Sequence, residues 1–188
     1  TRLRAVAEAV DADVWFGVPT AVQPRCAEVI WGPGDLTGVF DLDELEGDAL
    51  MEAMSYVNPP GFSSMGVVNT ARWRSAQVPS TNGHGTAAGV ARLYAALLGP
   101  HGLLSSEILA EATRAQSTGW CPVLHDDVSF GLGFQPTTER RPFGPTAHSF
   151  GHFGTGGAVG FADPAAGVAF GYVMNHVIPR WQSTRNRA

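Results

Sequence analysis

Ser149-Phe150-Gly151-His152-Phe153-Gly154-Thr155-Gly156-Gly157, running on into Ala158-Val159-Gly160-Phe161-Ala162-Asp163-Pro164, is the stretch that decides the fold. Its five glycines let backbone come close to something, because glycine has no Cβ and tolerates unusual φ/ψ. The following segment, Gly167-Val168-Ala169-Phe170-Gly171-Tyr172-Val173-Met174-Asn175, is apolar and rich in strand formers. Between them lies Asp163-Pro164-Ala165-Ala166-Gly167, a turn signal of Asp, Pro and Gly. The pattern predicts an antiparallel hairpin whose first strand carries a polar, glycine-lined lip. A histidine beside backbone N–H groups there suits a developing oxyanion. A glycine-rich strand packed against a helix fits the same residues, and the stretch alone leaves both readings open.

Working outward, 188 residues suffice for one domain with a sizeable core. An apolar content of 44% with 15% charged residues describes a globular chain rather than a disordered one. No apolar run reaches the length of a bilayer span, and no signal-peptide pattern opens the sequence. A cytoplasmic location is therefore the expectation. A formal charge of −5 argues against nucleic acid or an anionic membrane as the main partner. Cys26 and Cys121 make neither a metal-type pair nor a disulfide framework, and read as free thiols. All 12 basic residues are arginine. With no lysine, no lysine base or Schiff base can be completed within this polypeptide.

Taken in order, Leu3, Val6, Ala7 and Val10 recur at helical spacing from the first residues onward. The final residues, 180–188, resemble the opening of a helix. Both ends thus read as parts of a larger protein. Val14-Trp15-Phe16-Gly17-Val18-Pro19 and Glu28-Val29-Ile30-Trp31 are short strand candidates, and residues 32–47 form an acidic loop. Asp48 is placed to cap a helix over 49–55, before Pro59-Pro60, and residues 61–77 read as irregular. A helix from Thr86 to Leu98 carries Val90, Leu93, Tyr94 and Leu97 on one face, with Gly99-Pro100 as its stop. Ser105 caps another helix reaching about Ala115; residues 128–134 are strand-like, and 137–145 a polar loop. Helical and irregular structure over 1–127 with strands over 128–188 indicates an α+β fold in one domain.

Other chemistries fit poorly. His148, His152 and His125-Asp126-Asp127 lack the flanking ligands of a metal site, so neither metal nor cofactor is expected. Gly154-Thr155-Gly156-Gly157 is not followed by the lysine and helix that a phosphate loop needs. No Gly-x-Ser-x-Gly elbow supports a self-contained serine triad. Thr1 as an N-terminal nucleophile would belong on a buried strand, and it opens a helical pattern instead.

Gly151-His152-Phe153-Gly154-Thr155-Gly156-Gly157, the Asp163-Pro164 turn and the strand ending Val173-Met174-Asn175 resemble the last third of the serine β-lactamase-like fold. The likeness is to the branch of class C β-lactamases, family VIII carboxylesterases, DD-peptidases and related acyltransferases. Its Lys-Thr-Gly triplet has a His-x-Gly variant in the esterases, which His152-Phe153-Gly154 matches. Asp13-Val14-Trp15-Phe16-Gly17-Val18-Pro19, Trp73-Arg74, Asn82-Gly83-His84-Gly85-Thr86-Ala87 and Phe130-Gly131-Leu132-Gly133-Phe134 are similar to further landmarks in the same order. The resemblance covers nearly the whole chain, as the family's C-terminal half.

What it implies is an antiparallel sheet flanked by helices and an acyl-transfer reaction through an acyl-serine. The family's Ser-x-x-Lys cannot lie in a chain without lysine, and its partner tyrosine belongs upstream of the Trp-Phe-Gly landmark. Tyr56-Val57-Asn58, which mimics the family's Tyr-x-Asn, follows that landmark and reads as coincidence. Nucleophile and base are thus expected from an N-terminal half outside this chain, which becomes its principal partner; a homo-oligomer stays open. The resemblance gives this chain the electrostatic half of the site: the backbone N–H of Thr155 as one oxyanion donor, and His152 at the triplet's lysine position. Phe153, Gly154, Gly156, Asn175 and Trp15 line the substrate side, with Trp120 a further candidate wall. A histidine is a weaker carboxylate anchor than lysine. That favours ester hydrolysis or transacylation over β-lactam or DD-peptide chemistry; a non-catalytic binding module is the alternative of another class.

Overall fold

The computed structural model describes residues 2–31, 42–57, 62, 67–99, 102–154 and 156–178. Helix α1 (Arg2–Ala9) puts Leu3, Ala7 and Val10 on the face that meets Ala12 and Val14, so the periodicity at the chain's start is realised as packing. Two-residue strands follow, β1 (Val14–Trp15) and β2 (Ile30–Trp31), then α2 (Gly47–Val57). Within the segment expected to be irregular lies a five-residue helix, α3 (Ala71–Ser75). It is too short to leave a periodic signature. The Thr70 side chain caps it, and the buried Trp73 anchors it, its indole N–H donating to the Phe62 carbonyl at 2.8 Å.

Strand β3 (His84–Gly85) pairs antiparallel with β1 and leads into α4 (Ala87–Ala95), capped by Thr86. Helix α5 (Ser106–Thr113) begins at the expected cap, where Ser105 Oγ accepts from the Ile108 amide at 3.2 Å. Next comes a hairpin that sequence patterning did not indicate, β4 (Ser117–Cys121) with β5 (Asp126–Phe130). Residues 117–120 of β4 are exposed, so no buried face imposed alternation on them. The boundary drawn at 127/128 therefore falls inside β5, and strands occur on both sides of it.

The main sheet is antiparallel, in the order β6 (Gln135–Pro136), β7 (Phe150–Phe153), β8 (Val159–Asp163), β9 (Val168–Tyr172). The hairpin predicted from the glycine-rich stretch is β7–β8, with Phe150 opposite Ala162 and Phe153 opposite Val159. Strand β10 (His176–Val177) lies parallel to β2. Helix α4 crosses β8 and β9 on one face. A Cβ on Gly171 would sit 2.8 Å from the Ala91 amide, and one on Gly160 the same distance from Val90 Cγ1. Those glycines let helix and sheet approach, so the helix-packing reading of the glycine run holds for Gly160. Tyr94 fills the end of this interface against Phe134 and Phe150, and burial pushes its hydroxyl up to about 12.

Candidate active site

Strand β7 positions the residues that sequence analysis singled out, and its two ends have different surroundings. At its start Ser149 is buried, and its Oγ accepts from the Gly144 amide at 3.0 Å and donates to the Thr146 carbonyl at 2.8 Å; it also bonds the Thr137 hydroxyl. Asp163, at the end of β8 beside it, is fully buried. Its carboxylate accepts four hydrogen bonds: from the Thr146 amide and hydroxyl (2.8 Å each) and from the Ala165 and Ala166 amides (3.1 Å each). Burial alone would raise its pKa, but the four donors outweigh burial and hold the carboxyl below its ordinary range. The Asp163-Pro164 turn of the sequence is thus also a buried lock.

At the other end, His152 is exposed, on the face from which α4 approaches, since it pairs with Gly160. Strand β6 pairs only with Phe150 and Gly151, because Phe134, next in line, turns away and accepts from the Gly131 amide at 2.7 Å. The His152 ring meets Phe130 of β5, with centroids 6.2 Å apart, and Phe153 stacks on Phe143 at 4.3 Å on the opposite face. Beyond Phe153 the chain makes a tight turn: the Gly154 amide donates to the Ala158 carbonyl at 2.7 Å, and the Gly157 amide to the Gly154 carbonyl at 3.1 Å. The Gly154 N–H is thereby committed to the turn. Thr155, given the oxyanion donor's position by the resemblance, lies outside the described residues.

The other expected site residues divide. Gly156 lies beside the lip with a packing reason of its own, since a Cβ there would meet Met174 Cε at 3.0 Å and Val177 Cγ1 at 3.2 Å. Asn175 precedes β10, and its side chain donates to the Glu28 carbonyl at 3.0 Å while its own carbonyl accepts from the Ile30 amide at 2.7 Å. Asn69 holds the same segment from its other side through both backbone groups of Val29. Trp15 sits on β1, where its indole N–H donates to Asp13 at 2.7 Å and Arg4 lies over its ring at 4.0 Å. That bond, with Arg25, holds the Asp13 carboxyl below its ordinary range. These contacts tie Trp15 to the α1–β1 corner rather than to the hairpin. Trp120 is 63% exposed, and the β4–β5 register puts it on the hairpin face opposite Phe130. Among the described residues, no three His, Cys, Asp or Glu side chains group as metal ligands, and no helix is long and apolar enough to cross a membrane.

Phe130 is the residue that sequence reasoning passed over. Phe130-Gly131-Leu132-Gly133-Phe134 was visible as a landmark, but nothing in it said that the first aromatic reaches His152.

An α4-backed antiparallel sheet, with a histidine at the open end of a strand before a glycine turn, defines an α+β scaffold. The family model described as Beta-lactamase matches residues 6–187, and the chain belongs to that family. Esterase/beta-lactamase LipL of Mycobacterium tuberculosis is 31% identical, over 92% of this chain and 42% of that protein. EstA from Arthrobacter nitroguajacolicus Rue61a superposes with a TM-score of 0.73 at 27% identity, covering 94% of this chain and 47% of that one. A family VIII carboxylesterase gives a TM-score of 0.71 at 31% identity, covering 89% and 42%. The chain therefore spans less than half the length of these relatives, and the fold is that of β-lactamase-like esterases in part.

Proposed function

We propose that this chain is the C-terminal part of an acyl-transfer serine hydrolase, a carboxylesterase or transacylase that works through an acyl-serine. The nucleophilic serine and its lysine and tyrosine partners come from a segment outside these residues. His152 carries the reading: it stands exposed at the end of β7, at the triplet's lysine position, immediately before the Gly154 turn. In this role it orients substrate or hydrogen-bonds the tyrosine, while the Thr155 amide and the serine's own amide hold the oxyanion. Removal of one such donor costs on the order of 3 kcal/mol in the transition state. Gly154, Gly156 and Phe153 border the acyl oxygen's approach. Asn175 and Trp15 stand further back, Asn175 through the β2 segment that it ties. No metal or cofactor takes part in this scheme.

Ester substrates are favoured over β-lactams because a histidine, unlike a lysine, is not held cationic through neutral pH. His152→Lys should then improve kcat/KM for carboxylate-bearing acyl substrates relative to neutral esters; an unchanged preference removes His152 from the substrate side. β-Lactam or DD-peptide acylation is the second reading, supported by a relative whose name joins esterase and β-lactamase.

The test is covalent. The intact protein, treated with a fluorophosphonate and digested, should yield an adduct on a serine outside residues 1–188, within Ser-x-x-Lys. Residues 1–188 alone should take up no label. An adduct on Ser149, or on any serine or threonine of this chain, defeats the assignment of roles. Failure of the intact protein to label at all would favour a binding module.

A further inference from the structure

We propose that Asn69 is a positioning residue for the glycine lip at the end of β7, a role that rests on the lip holding the oxyanion as described above. Gly156 of the lip lies against the segment that carries β10. A Cβ on Gly156 would come within 3.0 Å of Met174 Cε and 3.2 Å of Val177 Cγ1, and the Ile178 amide donates to the Gly156 carbonyl at 3.4 Å. A shift of β10 therefore reaches the residue next to Thr155, whose amide is the proposed oxyanion donor.

Strand β10 pairs with β2, and the segment entering β2 is gripped along both edges. Backbone groups of successive residues in an extended strand point to opposite edges. Residues 28–30 follow that rule. The Glu28 carbonyl accepts from the Asn175 side chain at 3.0 Å, and the Ile30 amide donates to the Asn175 carbonyl at 2.7 Å. Val29, between them, faces the other way, and Asn69 takes both its groups. The Val29 amide donates to Asn69 Oδ1 at 2.8 Å, and Asn69 Nδ2 donates to the Val29 carbonyl at 3.0 Å. One side-chain amide thus stands in for a neighbouring strand. Its footing is fixed. Asn69 immediately precedes Thr70, the cap of α3, and the buried Asn82 holds that helix from its far end, donating to the Trp73 carbonyl at 2.8 Å and the Ala76 carbonyl at 2.6 Å. Asn69 itself is exposed, so its bonds compete with water and add little stability. Their consequence is alignment, on which oxyanion stabilisation depends steeply.

The experiment uses the intact protein with p-nitrophenyl butyrate as substrate. The variants are Asn69→Ala, Asn69→Asp, Asn175→Ala, the Asn69→Ala/Asn175→Ala double and, as a control for stability, Ser105→Ala, which removes the cap of α5. Asn69→Ala should lower kcat about tenfold with little change in KM, and slow fluorophosphonate labelling by a similar factor. Ser105→Ala should lose at least as much stability and keep the wild-type kcat. Asn69→Asp keeps the acceptor for the Val29 amide but offers a donor only when protonated, so its kcat relative to wild type should rise as pH falls through the carboxylate range. The double variant should lose little beyond the larger single loss, because both side chains act through β2 and β10 on one lip. NMR gives a readout that needs no turnover: the Gly156 amide should move in Asn69→Ala and stay in place in Ser105→Ala. A wild-type kcat and Gly156 amide in Asn69→Ala, or a wild-type kcat in Asn69→Asp at every pH, overturns the positioning role and leaves the proposed function standing, provided the protein still labels. A rate loss that Ser105→Ala reproduces at equal stability would mark Asn69 as a structural residue only. Absence of label on the intact wild-type protein would remove both.

Discussion

The two ends of the four-residue strand β7 are built to opposite rules. At the Phe150 end Ser149 and Asp163 are buried and bonded: Ser149 to Thr137, Gly144 and Thr146, and Asp163 to four donors. Strands flank it on both sides. At the Phe153 end one strand neighbour is lost, the histidine is exposed, and the chain reverses through glycines. A locked end stores stability, and an open end presents groups to something that arrives. The contrast separates residues whose loss should unfold the sheet from residues whose loss should silence it.

The largest expected effect belongs to the locked end. Gly151→Ala puts a Cβ against the Gly160 carbonyl and 2.9 Å from Phe161 Cα, both on β8. Backbone in mid-sheet cannot swing aside, so a loss of about 3 kcal/mol or more is expected, read as a fall in the denaturant midpoint of the intact protein. A midpoint within error of wild type would mean that β7 and β8 can part more easily than their register implies.

Asp163→Asn comes next. It removes the charge and gives one acceptor position a donor, with an expected cost of about 2 kcal/mol. The pH dependence gives the sign. Because the folded carboxyl lies below its ordinary range, its contribution is complete above the unfolded pKa and drains away as pH falls through the folded one. Wild type should lose stability on the acid side of the carboxylate range, and Asp163→Asn should lack that part of the acid limb. Identical acid limbs would show that the buried carboxylate does not control this end. Ser149→Ala should cost about 1 kcal/mol and leave fluorophosphonate labelling unchanged, since its hydroxyl is committed to three partners.

The same contrast explains what could be read without coordinates. Strand β7 to β9, the Thr86 helix and the Ser105 cap were legible because each carries a local signal: a turn triplet, a 3.6-residue stripe, a hydroxyl three residues before its amide. Strand β4 was not, since its exposed faces need no alternation, while the strand read over 128–134 overlaps β5 only at 128–130. Neither was β10, whose parallel pairing with β2 joins residues 30 and 176. In the site, His152 and the turn could be named from the triplet. Phe130 could not be placed, because an aromatic contact between β5 and β7 depends on how two strands with no mutual pairing are set side by side. The glycines were seen but not sorted: packing accounts for Gly151, Gly156 and Gly160 and a positive φ for Gly157, leaving Gly154 as the member of the lip with both room and an ordinary φ.

That room makes Gly154→Ala the smallest expected perturbation of the fold and the sharpest probe of the open end. A Cβ at this position would find its nearest neighbours at ordinary contact distance, Ala158 Cβ at 3.5 Å and the Ala158 carbonyl at 3.6 Å. Its φ is not in the left-handed region, so alanine pays no backbone penalty there and should change stability by less than about 1 kcal/mol, in either direction. Gly156→Val cannot serve the same purpose, because its added methyls enter the space of Met174 and Val177 and would confound folding with function. If the lip admits an acyl oxygen close to backbone, the extra methyl of Gly154→Ala should lower kcat/KM for p-nitrophenyl butyrate by at least tenfold while the denaturant midpoint stays put. Wild-type turnover at unchanged stability would mean that substrate does not approach at Gly154, and the open end of β7 would then have to be read as a docking surface for chain rather than for acyl groups.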